Sequence, residues 1–258
     1  MTLVPVRRLN LDKYTPDSDD KWQNVSKLTP QNSAGVVVVG PPGSGKTNEV
    51  LSMILQPDYM HFDQIWIFAM DLLEGKYQLV KQMMEKRNLS TEESVSEDGR
   101  KVLPDFILTN DFSRVPAIED IDKNKQTIVI FDDLVMESKK VQKPIVDFFK
   151  GARKRTCQMY YLTQGYFEVP SMVRRNAQYF WIYRLKDPRE FKGLASTFEL
   201  CVTKPVFHKI YIEATKPMKG PDDEKPYPGF LFVNTGMSYV PYRYRRGFGD
   251  VLAVVPMN

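Results

Sequence analysis

The sequence predicts an α/β fold in which helices flank both faces of a mostly parallel central sheet. Three observations support this prediction. Apolar runs of strand length alternate with helical segments through residues 34–185. Several of these runs are apolar at every position, which is typical of strands buried on both faces of a parallel sheet. A glycine-rich loop joins the first such strand to the first helix. We therefore expect right-handed crossovers between parallel strands.

The first half of this pattern begins with Ala34–Val39, which contains four consecutive valines and is predicted as a buried strand. Thr47–Leu55 is predicted as a helix because its apolar residues share one face, and the Gln-Pro-Asp at 56–58 ends it. Gln64–Ala69 is the second predicted strand, and Tyr77–Arg87 is the second predicted helix. Asn88–Arg100 is polar and acidic, so we expect a mobile surface loop there.

The second half continues the alternation. Its predicted strands cover 106–108, 127–131, 158–162 and 179–183, and its predicted helices cover 139–150 and 171–176. The pattern loosens beyond about residue 204. Lys216–Gly229 is rich in proline, lysine and aspartate and is predicted as a loop. Gly229–Val233 and Ser238–Tyr244 are predicted to pair as an antiparallel hairpin.

These segments divide the chain into three predicted parts. Residues 1–33 form an N-terminal arm with little core of its own, residues 34–200 form the α/β core, and residues 201–258 form a small β-rich extension packed on that core.

Composition fits a soluble globular protein, since 42% of the 258 residues are hydrophobic and 26% are charged. No apolar run approaches the roughly 20 residues that span a bilayer. The first residues lack the basic-then-apolar order of a secretory signal, and two cysteines are too few for a disulfide framework. We therefore expect a reducing compartment, no membrane-spanning segment and no secretion. The net charge of +4 is only a mild indication of a polyanionic partner.

The most informative motif is the loop after the first strand, which has the pattern G-x-x-x-x-G-K-T. Its glycines let successive backbone N–H groups face phosphate oxygens, and the helix that follows directs its positive end at the same anion. The lysine can reach the β- and γ-phosphates, and the threonine hydroxyl can ligate Mg²⁺. The predicted nucleotide-binding residues are Gly40, Pro41, Pro42, Gly43, Ser44, Gly45, Lys46 and Thr47.

A second motif follows the strand at 127–131, where two acids, Asp132 and Asp133, end an apolar run. At the carboxyl end of a central strand, the first acid can hold Mg²⁺ and the second can orient or deprotonate a water molecule. Alone this pattern is weak, because many buried strands run into an aspartate turn. Together with the phosphate-binding loop it predicts Thr47 and Asp132 as metal ligands and Asp133 as a catalytic base.

The next strand ends in Thr163 and Gln164. A polar residue at the end of a strand beside the phosphate-binding loop can contact the γ-phosphate or the attacking water, so Gln164 is a candidate sensor. The alternative is a glutamine that satisfies backbone groups in a turn.

Basic residues supply candidates for an arginine finger, a positive charge that one subunit directs at the γ-phosphate of its neighbour. They occur in two clusters, which contain Arg153 and Arg155, and Arg174 and Arg175. The same clusters could line a path for DNA phosphates or form a solvated basic face. The segment 242–246 interleaves tyrosine and arginine, which suits either nucleic acid or a charge-protected edge strand.

These motifs, in this order, resemble those of viral genome-packaging ATPases of the FtsK–HerA superfamily, and in particular the poxvirus-type enzymes of large DNA viruses, virophages and related elements. The specific part runs from Phe149–Arg153 through the block 161–176, in which a strand ending in Thr-Gln precedes an aromatic residue, a proline and Val-Arg-x-Asn. The resemblance covers roughly residues 34–185. Many superfamily members have Asp-Glu where this chain has Asp132-Asp133, so the base here is one methylene shorter.

The resemblance implies a RecA-like P-loop NTPase core that hydrolyses ATP with Mg²⁺. It further implies a homo-oligomeric ring, a pentamer or a hexamer, that drives double-stranded DNA into a preformed viral capsid. It also gives Lys46, Thr47, Asp132, Asp133 and Gln164 the roles of the residues that occupy the matching positions in the family. Such a protein would act in the host-cell cytoplasm, a virus factory or the nucleus, or in association with the virion.

Three alternatives remain open at the level of sequence. The chain could be another DNA motor or helicase of the same superfamily. It could be a nucleotide-gated module that docks on a capsid without moving DNA. A small-molecule kinase also carries a phosphate-binding loop, but Asp133 and Gln164 suit a water nucleophile better.

Overall fold

The fold comes from a computed structural model, which describes residues 2–6, 29–30, 33–134, 139–198, 202–218, 226–236 and 243–255. The twelve strands are β1 Thr2–Val6, β2 Gly35–Val39, β3 Gln64–Ala69, β4 Ser94–Val95, β5 Lys101–Val102, β6 Phe106–Thr109, β7 Thr127–Asp132, β8 Cys157–Thr163, β9 Ala177–Tyr183, β10 Phe230–Asn234, β11 Tyr244–Arg246 and β12 Asp250–Val255. The helices are α1 Lys46–Leu55, α2 Gly75–Lys86, α3 Lys139–Gly151, α4 Ser171–Asn176, α5 Pro188–Phe198 and α6 Lys204–Ala214.

Ten of these strands form one sheet in the order β1-β12-β11-β10-β9-β2-β8-β7-β3-β6. The strands from β9 to β6 are mutually parallel, and the four from β10 to β1 continue the sheet in antiparallel pairs. The predicted α/β fold with a mostly parallel sheet is therefore confirmed. The C-terminal strands lengthen the same sheet, and β1 pairs with β12 at its edge. The division of the chain at residues 33 and 200 stays a prediction.

The sheet is buried on both faces because alternate side chains of each central strand enter two different cores. In β2, Val36 and Val38 pack with α1 and α2, whereas Val37 and Val39 pack on the opposite face with α3, α4, α5 and α6. All five residues of β2 are buried, as a strand covered on both sides requires. The run of four valines is thus accounted for by helices on both faces.

Most predicted elements agree with the structure within one to two residues, but several features were not foreseen. Helices α5 and α6 were not predicted. Strand β4, inside the predicted loop 88–100, pairs with β5, which directly follows that loop, as a short hairpin. The C-terminal hairpin pairs β10 with β11, which spans Tyr244–Arg246, and residues 237–242, where the predicted second strand begins, lie outside the described residues.

The interleaved segment 242–246 has a role that neither sequence interpretation gave it. Its strand β11 lies inside the sheet, between β10 and β12, and is not an edge. Arg245 is buried, with its guanidinium 3.9 Å from the centre of the Phe232 ring, and Arg243 is buried as well. These two arginines belong to the packing of the sheet. Among the described helices, none is long and apolar enough to cross a bilayer.

Candidate nucleotide-binding site

The carboxyl ends of β2, β7 and β8 meet at one edge of the sheet and bring the predicted motifs together. Val39 of β2 lies opposite Thr163 of β8, and Leu162 lies opposite Asp132 of β7. The ladder continues past the strand ends, because Gly40 N–H donates to the Thr163 carbonyl and Asp133 N–H donates to the Leu162 carbonyl, both at 3.1 Å. The pairing of the strands therefore holds the loop 40–47, Asp133 and Gln164 next to one another.

A cleft of about 640 Å³ opens at this edge. It is bounded by the loop after β2, the amino end of α1, the segment before α2, and the ends of β7 and β8. Its lining residues are Pro42, Gly43, Ser44, Gly45, Lys46, Thr47, Asn48, Glu74, Lys76, Asp132, Asp133 and Gln164. Lys46, Thr47, Asp132, Asp133 and Gln164, which were predicted to hold the phosphates and Mg²⁺ and to act on water, all line this one cleft.

The loop 40–47 has the form of an anion cradle. Gly43 and Gly45 adopt φ values of 73° and 87°, a left-handed conformation that favours glycine, and a Cβ atom on either would meet only open space. Helix α1 starts directly after Gly45, so its free N–H groups point into the cleft. Ser44 Oγ is buried and has no hydrogen-bond partner in the described part of the chain. This buried hydroxyl and the cradle around it fit a phosphate group.

Lys46 supplies the positive charge of the cleft. Its ammonium group donates to the carbonyls of Gly40 at 2.6 Å and Pro41 at 3.3 Å. Burial lowers the pKa of Lys46, and the carboxylates of Asp132 and Asp133 oppose that effect. A half-buried ammonium held by two neutral carbonyls is poised to exchange them for an anion, which would compensate the cost of burial.

Thr47 and Asp132 form the oxygen pair expected of a divalent-cation site. The Thr47 hydroxyl donates to Asp132 Oδ2 at 2.8 Å, and both side chains are buried. Burial raises the pKa of Asp132, while hydrogen bonds from Tyr77 and Thr47 act in the opposite direction. Hydroxyl and carboxylate oxygens are the donors that Mg²⁺ prefers, and a cation beside Asp132 would favour its ionised form. The residues present therefore fit Mg²⁺.

Asp133 and Gln164 are joined by a hydrogen bond in which Gln164 Nε2 donates to Asp133 Oδ2 at 3.0 Å. Asp133 has a left-handed φ of 57°, an uncommon conformation for a residue with a side chain and one often found at functional sites. That turn directs the two successive aspartates differently, since Asp132 is buried whereas Asp133 is exposed in the cleft. The pair of acids can therefore serve two roles, one toward the metal and one toward water.

The turn that carries Gln164 is fixed by Glu168. Its Oε2 atom accepts hydrogen bonds from Thr163 Oγ1 and from Gly165 N–H, both at 2.8 Å. These bonds hold the chain on either side of Gln164. Glu168 also adds a negative charge that slightly favours the charged form of Lys46.

A comparison with known protein families assigns the chain to one of them. The family model described as zonular occludens toxin (Zot) matches residues 34–217, most of the chain and all of the cleft described above. The chain belongs to the Zot family. Among functionally curated proteins, no sequence matches it significantly.

Solved structures place this Zot-family chain among P-loop NTPases in fold. The genome-packaging NTPase B204 of Sulfolobus turreted icosahedral virus 2, in complex with ATPγS, is 15% identical, with a TM-score of 0.51 over 79% of this chain and 93% of that one. Its sulfate complex is 16% identical, with a TM-score of 0.51 over 80% and 93%. The resemblance to viral genome-packaging ATPases of the FtsK–HerA superfamily is thus confirmed in fold.

A solved Zot domain is also similar in part. The N-terminal domain of zonular occludens toxin from Neisseria meningitidis is 16% identical over 58% of this chain and 76% of that domain, with a TM-score of 0.34. Membership of the Zot family rests on the match over residues 34–217.

None of the four candidate finger arginines of this Zot-family chain is among the described residues that line its cleft, and neither is any other arginine. Arg155 precedes β8 and lines another cleft, formed with Lys123 and Asp120 at the amino edge of the sheet. Arg153 lies in the same 3₁₀ turn, Ala152–Arg155. The seven residues of β8 separate that edge from the nucleotide cleft by roughly 20 Å. Arg155 therefore cannot reach a nucleotide in the same subunit.

The other two candidates belong to α4. The Arg174 guanidinium stacks on the rings of Tyr166 and Phe167, with 4.9 and 5.9 Å to their centres. Arg175 is exposed. A catalytic role for Arg153, Arg174 or Arg175 stays a prediction that requires a neighbouring subunit.

The sequence interpretation missed Tyr77, which the structure places inside the site. The Tyr77 hydroxyl donates to the same Asp132 oxygen that accepts from Thr47. Burial, followed by the nearby Asp132 charge, raises the pKa of Tyr77, so it remains a donor. No spacing in the sequence indicates this contact. Glu74 and Lys76, an ion pair that lines the cleft, could have been suspected because they follow the carboxyl end of β3.

Proposed function

We propose that this Zot-family protein is an ATPase, which hydrolyses ATP in the cleft at the carboxyl edge of its parallel sheet. The observation that carries the proposal is the convergence of Lys46, Thr47, Asp132, Asp133 and Gln164 on that cleft. They come from three separate places in the chain, the start of α1 and the carboxyl ends of β7 and β8, and each has the chemistry that one step of phosphoryl transfer to water needs.

Binding would rest on the loop 40–47 and on α1. Backbone N–H groups of the loop and the amino end of α1 surround the phosphates, and Ser44 Oγ gains a partner. Lys46 transfers its hydrogen bonds from the Gly40 and Pro41 carbonyls to phosphate oxygens. An anionic phosphate oxygen adds an attraction between opposite charges that a neutral carbonyl lacks.

Mg²⁺ would be held by Thr47 and Asp132, where it would neutralise charge on the β- and γ-phosphates. Tyr77 keeps the Asp132 carboxylate turned toward Thr47 by bonding the same oxygen. The buried position of Asp132 excludes bulk water from that side of the cleft.

Hydrolysis would depend on the hydrogen-bonded pair Asp133 and Gln164. The exposed Asp133 carboxylate accepts a proton from the attacking water, and the Gln164 amide holds both the carboxylate and the water in place. Water is the acceptor of the phosphoryl group because a base, Asp133, and an amide, Gln164, stand at this end of the cleft.

We further propose that hydrolysis moves double-stranded DNA into a viral capsid, with the chain assembled as a pentameric or hexameric ring. Support comes from the fold shared with a genome-packaging NTPase that binds ATPγS and from the block 161–176. The described cleft lacks an arginine, which is consistent with a finger contributed by a neighbouring subunit, from Arg153, Arg155, Arg174 or Arg175. Such an enzyme would work in the host-cell cytoplasm, a virus factory, the nucleus or the virion.

The test measures ATP hydrolysis by the assembled protein with and without duplex DNA over a series of salt concentrations. A translocase that grips phosphates is expected to show DNA-stimulated turnover, with little sequence dependence and a steep loss of stimulation with salt. Stimulation by single strands together with strand separation would indicate a helicase instead. An assembled ring whose turnover and binding ignore DNA would contradict translocation.

A further inference from the structure

A second cleft, of about 730 Å³, lies against the other side of the loop 40–47. The two clefts share Pro42, Gly43 and Ser44 and have no other described residue in common. The first extends toward β8 and β7, whereas the second extends toward β9, which pairs with β2 on the opposite side. The phosphate-binding loop therefore separates two compartments of one continuous surface.

The second cleft is built from three segments that are distant in sequence. Tyr183 ends β9 and Arg184 follows it, Ile212 lies near the end of α6 and Thr215 follows that helix, and residues 226–229 precede β10. The third segment is tied to the second by a pair of backbone hydrogen bonds between Met218 and Tyr227, at 2.8 and 3.0 Å. This bridge fixes where the Tyr227 side chain is presented.

Gly229 makes the same junction tight. A Cβ atom at this position would lie 2.2 Å from the Lys216 carbonyl oxygen and 2.8 Å from that of Ala214. Only glycine lets the backbone before β10 approach the end of α6 this closely. The wall that carries Tyr227 is therefore held in place by backbone contacts on both sides.

The chemistry of the two compartments differs. The phosphate cleft is lined by Glu74, Asp132 and Asp133, whereas no described residue that lines the second cleft is acidic. The second cleft instead offers the Tyr227 side chain, which is 40% exposed between Pro226 and Pro228. Apolar surface with one exposed aromatic ring suits a flat heterocycle better than a phosphate or a metal ion.

Arg184 adds a cationic group at the rim. Its Nη1 atom donates to Thr215 Oγ1 at 3.3 Å, and its guanidinium lies 5.7 Å from the centre of the Tyr211 ring. These contacts hold a planar cation beside the loop 40–47, where it can face an aromatic ring or a ribose and its α-phosphate.

We propose that this second cleft binds the base of the nucleotide, a purine, and that Tyr227 stacks on it. The inference rests on the proposed function, because it assigns the base of the same nucleotide whose phosphates occupy the first cleft. It places base recognition in residues 212–217 and 226–229, which would select the nucleotide that the loop 40–47 binds.

The experiment compares two ligands that share a phosphate chain, namely the non-hydrolysable ATP analogue AMPPNP and inorganic tripolyphosphate, each with Mg²⁺. Calorimetric titrations use the full chain as wild type, Tyr227→Ala and Tyr227→Phe. Because Tyr227→Ala loses the ring that stacks on the base, it is expected to bind AMPPNP about 5- to 100-fold more weakly than the wild type. Tripolyphosphate binding is expected to remain at the wild-type value, and Tyr227→Phe is expected to bind both ligands as the wild type does.

Two results would overturn the base site while leaving the proposed ATPase intact. In the first, Tyr227→Ala binds AMPPNP as tightly as the wild type. In the second, it loses AMPPNP and tripolyphosphate to the same extent, which would mean that Tyr227 only supports the fold of the loop 40–47. A wild-type chain that binds neither ligand would instead contradict the proposed function, and the base site with it.

Discussion

The Gln164 amide donates a hydrogen bond to the Asp133 carboxylate across 3.0 Å, although the two residues are 31 positions apart and end neighbouring strands. This contact joins the two side chains that the proposed reaction needs nearest to the attacking water. Parallel pairing of β7 with β8 brings them together, and Glu168 fixes the turn that presents Gln164. The geometry of the reacting water is thus set by the sheet rather than by a loose loop.

Gln164→Ala is expected to slow ATP hydrolysis by about 100-fold, because one positioned donor to the reacting centre is lost. Nucleotide binding should be unchanged, since the phosphates are held by the loop 40–47. Steady-state turnover and calorimetric titration with AMPPNP measure the two effects. Gln82→Ala, an exposed glutamine on α2, is the matched control. Equal turnover in both variants would remove Gln164 from the mechanism.

Lys46→Ala is expected to weaken nucleotide binding by about 10- to 100-fold and to leave no measurable hydrolysis, since a charged donor to the phosphates disappears. The control is Lys81→Ala, which removes an exposed ammonium group from α2. Titration with AMPPNP and a phosphate-release assay compare the variants. A Lys46→Ala protein with wild-type affinity would show that the loop 40–47 does not hold the triphosphate.

Tyr77→Phe is expected to lower the free energy of unfolding by about 1–3 kcal/mol, because it removes a buried donor from a carboxylate. Asp132 keeps its bond from Thr47, so the site is weakened and not dismantled. Urea unfolding of the nucleotide-free protein measures the change, and a higher Mg²⁺ concentration should be needed for half-maximal turnover. Tyr59→Phe, at a half-buried tyrosine, controls for loss of a hydroxyl. An unchanged unfolding midpoint and Mg²⁺ requirement would mean that Tyr77 does not support Asp132.

Cys157 is expected to resist alkylation in the native protein. It is buried in β8, and burial raises the pKa of its thiol, so little reactive thiolate forms at pH 8. Peptide mapping after treatment with iodoacetamide should find Cys157 unmodified in native protein and modified after denaturation in guanidinium. Rapid modification of the native protein would contradict the burial of this strand.

The sequence predicted the parallel core well because β2, β3, β7 and β8 are apolar at most positions, and because β7 and β8 carry polar residues at their carboxyl ends. It could have predicted more. In α5, Phe191, Leu194, Ala195 and Phe198 recur with helical spacing, and in α6 Phe207, Ile210, Tyr211 and Ala214 do the same. Gly193 within the first and the prolines around both obscured the pattern. These helices were not predicted, although the spacing of their apolar residues indicates a helix in each segment.

Other features could not be read from any pattern. The bond from Tyr77 to Asp132 depends on how α2 packs over β7, and the left-handed φ of Asp133 depends on the turn after that strand. The burial of Arg245 against Phe232 depends on β11 lying between two other strands. The two contacts join segments with no fixed spacing in the sequence, and the φ of Asp133 is set by how the chain leaves β7. Sequence alone therefore gave the identities of the reactive groups but not the residues that position them.

The proposed mechanism depends most on Asp133, which acts on the attacking water but is not needed to bind ATP. The decisive measurement compares Asp133→Asn with the wild type, in both AMPPNP affinity and the rate of a single turnover with Mg²⁺ and duplex DNA present. Asparagine keeps the size of the side chain and can still accept the bond from Gln164, but it cannot take a proton. The predicted result is unchanged affinity with hydrolysis slowed by about 100- to 10,000-fold. Hydrolysis at the wild-type rate would contradict the proposed mechanism.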